Sequence, residues 1–162
     1  MPEPWLRGAL PGLEPLVQPV FFSYTQVRED LAAHTAGLST EQLWRRIVPL
    51  PSLGFQLRHI AGSVERLTTY LMGEQLMPEQ IAALKQEAEP GASLDELLAA
   101  VDAALSASEA RIQSIQPEQI HEPRYIGRKK LPSSVLGLLV HLAEHTQRHL
   151  GQAITTAKLV QG

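Results

Sequence analysis

The chain contains no cysteine, which excludes a disulfide framework, a thiolate metal site and a cysteine nucleophile. Any metal must be held by imidazole and carboxylate, a donor set that suits Zn, Ni, Fe or Mn. Positive charge is also short: 14 Lys and Arg stand against 17 Asp and Glu, for a net charge of −3. That balance leaves no basic footprint for a nucleic-acid backbone, so no nucleic-acid partner is expected. Nowhere does the sequence approach the roughly 18 consecutive apolar residues that a membrane span requires, so no membrane partner is expected either. The opening "MPEPWLRGALPGLEP" carries acids and prolines but no apolar run, unlike a secretory signal. Internal repeats, low-complexity tracts, a Ser-His-Asp arrangement and a Gly-rich phosphate loop are likewise missing. What remains is the expectation of one soluble cytoplasmic domain of 162 residues.

What is present is helical periodicity between breakers. Residues 1–15 read as an irregular lead-in rich in Pro and Gly. A helix is expected from about Val17 to Ala36, closed by Gly37. Ser39 and Gln42 form a capping box for a short helix that "VPLPSLG" breaks. Leu57, Ile60, Val64, Leu67 and Leu71 then recur at 3-4-3-4 spacing, the seam of a bundle helix that Gly73 ends. Residues 78–89 suggest a short connecting helix. Another capping box, Ser93 with Glu96, opens a third long helix that Pro117 stops. "HEPRYIGRKKLP" has no helical period and reads as an extended excursion or weak hairpin, and a last helix runs from near Ser133 to about Leu159. Four long helices with connections of varied length predict an all-α four-helix bundle over about residues 17–160, with metal and cofactor sites between facing helices.

The most informative stretch is "HLAEHTQRHLGQ", where His141, His145 and His149 lie four apart. Side chains at that spacing are about 40° apart round the helix and about 6 Å along it, so adjacent pairs can share an ion. His141 and His149, about 12 Å apart along the axis, cannot. The buried face is marked by Val135, Leu139, Leu142, Thr146, Leu150, Ala153 and Ala157. His149 lies about 70° from its centre, His145 about 110° and His141 about 150°. The pair 145/149 is therefore the one that borders the core. His59 sits about 110° from the centre of its own helix seam, where it can converge with that pair on a cleft. Three histidines with open positions are the layout of a catalytic metal. A rival lies in the same letters: His141-Leu-Ala-Glu144-His145 fits H-x-x-E-H, a zinc-peptidase pattern with Glu144 as general base. It turns an outward histidine inward and leaves His149 unexplained. His34, near a helix end, and His121, in a loop, carry no role beyond solvated or capping hydrogen bonds.

"LGFQLRHIAGSVERLTTYLMGE" followed by "SSVLGLLVHLAEHTQRHLGQ" resembles the DinB/YfiT-like superfamily of metal-binding four-helix bundles. The family pattern is one histidine in the second long helix, then H-x-x-x-H-x-G-Q in the last, here His59, His145, His149, Gly151 and Gln152. The resemblance implies a divalent metal, often Zn or Ni, on those three histidines and water. It also implies a metal-dependent hydrolase or thiol S-transferase, since relatives include bacillithiol-using transferases and mycothiol-dependent maleylpyruvate isomerases. A homodimer is a further implication.

A metal with open positions lowers the pKa of bound water or thiol, or polarises a carbonyl. The expected function is thus activation of a small thiol or of water on a small-molecule substrate. The alternative is a non-catalytic binding or stress-response module with a structural metal. Gln152, one turn past His149, Glu65, on the His59 helix, and His141 are the expected supporting residues, against plain capping, packing or solvation. "RYIGRKK" reads as a solvated charge run rather than an anion grip. Met72 and Met77 read as gap filler, and Trp44 and Phe55 as anchors of the short helix and the turn after it.

Overall fold

In the computed structural model, which describes residues 1–162, a short 3-10 turn at Pro4–Leu6 interrupts the lead-in. Six helices follow: α1 (Gln18–Thr35), α2 (Thr40–Trp44), α3 (Leu53–Leu71), α4 (Pro78–Lys85), α5 (Leu94–Ile112) and α6 (Val135–Gln161). Between α5 and α6 the chain forms a hairpin, β1 (Pro123–Ile126) with β2 (Leu131–Ser134), paired antiparallel in the register Pro123↔Ser134 to Ile126↔Leu131.

Local chemistry sets most of the boundaries. Both expected capping boxes form: Ser39 Oγ accepts from the Gln42 amide, and Ser93 Oγ from the Glu96 amide. Gly37 and Gly73, just past α1 and α3, take φ of 77° and 81°, a region an L side chain resists. α6 begins one to two residues later than its sequence pattern suggests. Ser133 and Ser134 are still paired to β1, and Ser134 Oγ caps the helix through the Gly137 amide. α4 ends at Lys85 rather than near residue 89, and Arg58 Nη1 takes the carbonyls of Gln86 and Glu89 in the stretch that follows.

The long helices pack in the ring order α1–α6–α3–α5, so α1 lies diagonal to α3 and α5 diagonal to α6. Their apolar stripes meet in one core that includes Leu57, Ile60, Val64, Leu71, Leu105, Leu139 and Leu142. Each such side chain contributes on the order of 1.5–3 kcal/mol on burial. Inside the core a small polar cluster is satisfied internally. Ser108 Oγ lies 2.9 Å from Tyr24 Oη and 2.6 Å from Thr68 Oγ1, tying α5 to α1 and α3. Burial raises the Tyr24 hydroxyl well above its ordinary pKa, so it stays protonated. Trp44 anchors the short helix as expected, its indole N–H donating to the Ala92 carbonyl at 2.8 Å. No helix is long and apolar enough to cross a membrane.

Candidate metal centre

α3 and α6 are ring neighbours, and their seam-edge positions meet at mid-bundle. There His59, His145 and His149 each offer a ring nitrogen, and the three atoms lie within 4.8 Å of one another. The rings are tilted against each other, with centroids 4.3 Å apart for 59/149, 4.6 Å for 145/149 and 5.4 Å for 59/145.

Outer partners decide which nitrogens point inward. Glu87 Oε2 lies 2.7 Å from His59 Nδ1. Burial pushes the Glu87 carboxyl up, but the His59 hydrogen bond and the Arg66 charge outweigh it and hold the group below the usual range. Glu87 is therefore an acceptor, and His59 Nδ1–H must donate to it, leaving an Nε2 lone pair facing inward. His149 is fixed in the same way: its Nδ1–H donates to Gln56 Oε1 at 2.8 Å, and Gln56 Nε2 donates on to Gln152 Oε1 at 2.9 Å. Phe55 stacks on His59 with centroids 5.4 Å apart and planes 14° from parallel, covering one ring face. Fully buried Gln56 and nearly buried Glu87 are thus clamped to the two imidazoles they orient.

The inward nitrogens fit a divalent ion. His59 Nε2 and His145 Nε2 stand 3.2 Å apart. Two imidazoles bonded to one ion at about 2.0–2.1 Å place their nitrogens about 2.9–3.4 Å apart for bond angles of 90–109°. His145 Nδ1 is buried and has no hydrogen-bond partner, while its Nε2 faces His59 Nε2. Burial first, then the neighbouring imidazoles and Arg148, hold the His145 pKa down at about 4. Burial, His59 and Arg148 do the same for His149, also to about 4, against smaller upward pulls from Glu87 and Glu144. Both rings are then neutral at pH 7, the form a metal requires.

A second cluster shares one of these residues: His141, Glu144 and His145 also bring ligand atoms within 4.8 Å. Its carboxylate is already engaged on both sides. Glu144 Oε1 lies 2.6 Å from His141 Nδ1, and Oε2 accepts from Arg148 Nη2 at 2.5 Å. A cation there must displace an arginine, so the three-histidine cluster is the better cage.

The structure brings His59, His145 and His149 together, and His141 sits at the rim with 42% of its side chain exposed. His34 and His121 lie elsewhere, His121 in an exposed turn. Gln152 reaches the site only through Gln56. Glu65 is a correction: it is exposed and lines a groove with Arg58 and Arg111, making no contact with the histidines. Six residues past His59, it faces about 120° away on the helix. Gly151, the signature glycine, is exposed, and a Cβ there would meet nothing within 4 Å. In the hairpin, Arg124 Nε donates to the Leu71 carbonyl at 2.6 Å, which caps α3, while Arg128, Lys129 and Lys130 are exposed. Two supporting residues escaped the sequence reading. Gln56 could have been found as a polar residue one turn before Ile60 on the buried face of α3. Glu87 gave no signal, lying among like residues in "KQEAEP".

Comparison with known proteins bears on the same residues. The sequence profile of the DinB superfamily matches residues 23–153. Among curated proteins, none matches the chain significantly. A crystal structure of a conserved protein from Enterococcus faecalis superposes with a TM-score of 0.73 at 16% identity. The match covers 90% of this chain and 97% of that one, a likeness of fold.

Proposed function

The chain belongs to the DinB superfamily, and on that premise we propose that it is a divalent-metal-dependent enzyme that activates a small thiol or water. His59, His145 and His149 hold the ion, with Zn or Ni the metals that three imidazoles suit. The observation that carries this reading is the convergence of three imidazole ring nitrogens within 4.8 Å, two of them 3.2 Å apart. When bound, such an ion lowers the pKa of a coordinated thiol or water toward neutrality.

The protein's own groups prepare the site for that chemistry. Glu87 and Gln56 keep protons on Nδ1 of His59 and His149, so the opposite nitrogens stay free as donors. Phe55 shields the His59 ring from water. His141 and Glu144 form the half-exposed rim by which a small molecule enters. The substrate class is a low-molecular-weight thiol together with an electrophilic acceptor. With no cysteine in the chain, the transferred group never rests on a protein sulfur.

The test is a conjugation assay on Zn- or Ni-loaded protein with a panel of thiols that includes bacillithiol and glutathione. Turnover that requires the metal and is lost in His149→Ala supports the reading. Metal-dependent ester or amide hydrolysis without thiol turnover selects water as the nucleophile. Loaded protein inactive in both arms, or activity indifferent to chelation, overturns it.

A further inference from the structure

Glu87 is the one buried residue between positions 82 and 90, a segment otherwise exposed throughout. A solvated turn gains nothing by withdrawing a single carboxylate from water, since a buried charge is costly unless fully partnered. α3 holds both the carboxylate and the backbone that carries it. Arg58 Nη1 donates to the carbonyls of Gln86, at 2.8 Å, and Glu89, which flank Glu87 on either side. The Arg58 guanidinium is itself steadied over the Trp44 ring, 4.8 Å from its centroid. Two helical turns on, Arg66 Nη2 stands 2.8 Å from Glu87 Oε1, as an ion pair rather than an in-line hydrogen bond. Between them lies Gly62. A Cβ there would come within 2.6 Å of Arg66 Nη1 and 2.7 Å of Glu87 Oε1, closer than such atoms approach. The remaining oxygen, Oε2, takes the His59 proton at 2.7 Å.

We infer that Glu87 is a positioning residue of the metal centre, with Arg58, Gly62 and Arg66 serving to admit and hold it. The inference rests on the three-histidine metal reading proposed above. Glu87 fixes His59 in the Nδ1–H tautomer, turns its Nε2 toward His145 and strengthens it as a donor, as a carboxylate behind a metal-bound histidine does. Gly62 is the clearance that lets the carboxylate reach the ring. The competing account is a plain structural ion pair between Glu87 and Arg66, and the two accounts part on the His59 tautomer and the Zn affinity, which a purely structural pair leaves alone. Alanine favours a helix over glycine, but displacing a buried carboxylate from its partners costs stability as well, so a fall in apo melting temperature is expected on either account.

The experiment compares wild type, Glu87→Gln, Gly62→Ala and His59→Ala by competition titration of Zn against a chromophoric chelator. The apo melting temperature and the His59 tautomer, from long-range proton–nitrogen NMR of the apo protein, are followed in parallel. The expected result is a Zn affinity about 10–100-fold lower in both Glu87→Gln and Gly62→Ala. The single Nδ1–H tautomer of wild-type His59 gives way to a mixture in both. If both variants bind Zn as wild type does while His59→Ala does not, the Glu87 inference is overturned and the metal reading stands. A His59 that keeps its single Nδ1–H tautomer in both variants while the apo melting temperature falls also overturns it, in favour of the structural ion pair. A wild type that binds Zn no better than His59→Ala overturns the metal reading and this inference with it.

Discussion

Gln56 and Gln152 are joined by a 2.9 Å hydrogen bond, Nε2 of the first donating to Oε1 of the second. Because Gln56 Oε1 is thereby turned toward His149 Nδ1, the two glutamines act as a relay that sets the orientation of one imidazole. Gln56→Leu removes the acceptor and is expected to weaken metal binding about 10–100-fold. Gln152→Ala leaves Gln56 in place but free to rotate, and its effect is expected to be smaller. Competition titration of both variants checks the order; equal affinity to wild type in Gln56→Leu would sink the relay.

Alanine substitution separates the two overlapping clusters. His59→Ala and His149→Ala are expected to abolish stoichiometric metal, measured by elemental analysis of the purified protein. His141→Ala is expected to keep it, since His141 is spent on Glu144 at the rim. The reverse pattern would move the ion to His141, Glu144 and His145.

The pH dependence of the metal-free protein has a definite sign. His145 and His149 are held at about 4 in the fold against an ordinary value of 6.5. Unfolding restores the ordinary value, so between the two the unfolded chain binds more protons and stability rises with pH. The contribution of these rings is fully present above about 6.5 and is lost as pH falls toward about 4. Melting temperatures of apo protein from neutral pH down to about 5 should fall, with a shallower slope in His145→Asn. A rise in melting temperature on acidification across that window would contradict it.

The core hydroxyl cluster gives a stability prediction independent of the metal. Tyr24→Phe leaves Ser108 and Thr68 bonded to each other, and should cost about 0.5–1.5 kcal/mol. Ser108→Ala strips the shared partner from two hydroxyls at once, and should cost more, about 1–3 kcal/mol. Urea denaturation measures both. Equal or reversed costs would mean that Tyr24 or Thr68 finds another partner.

How far the sequence carries the reader depends on the distance over which each feature is encoded. The four long helices were legible because a 3-4 apolar spacing and a capping serine lie within a few residues of each other, as at Ser93 and Glu96. The hairpin was legible as the one stretch without that period. Facing alone picked out the pair His145 and His149 and left His59 at a boundary position able to join them, and the resemblance to the superfamily pattern named it as the third. Glu87 was not legible. It is chosen from among Glu79, Glu87 and Glu89 by the reach of Arg58 and the gap at Gly62, three-dimensional facts with no local trace. Glu65 was misjudged for the complementary reason: sharing a helix with His59 is not the same as sharing its face.

His59 and His145 stand 86 positions apart in the chain. An ion gripped by both is a cross-link between distant parts of the sequence, and a ligand that binds only the folded form stabilises it by mass action. In a chain without cysteine, that link takes the place a disulfide would have, but its closure tracks free metal rather than redox state. The tightness of the seam between α3 and α6 then becomes a readout of how much metal its surroundings supply.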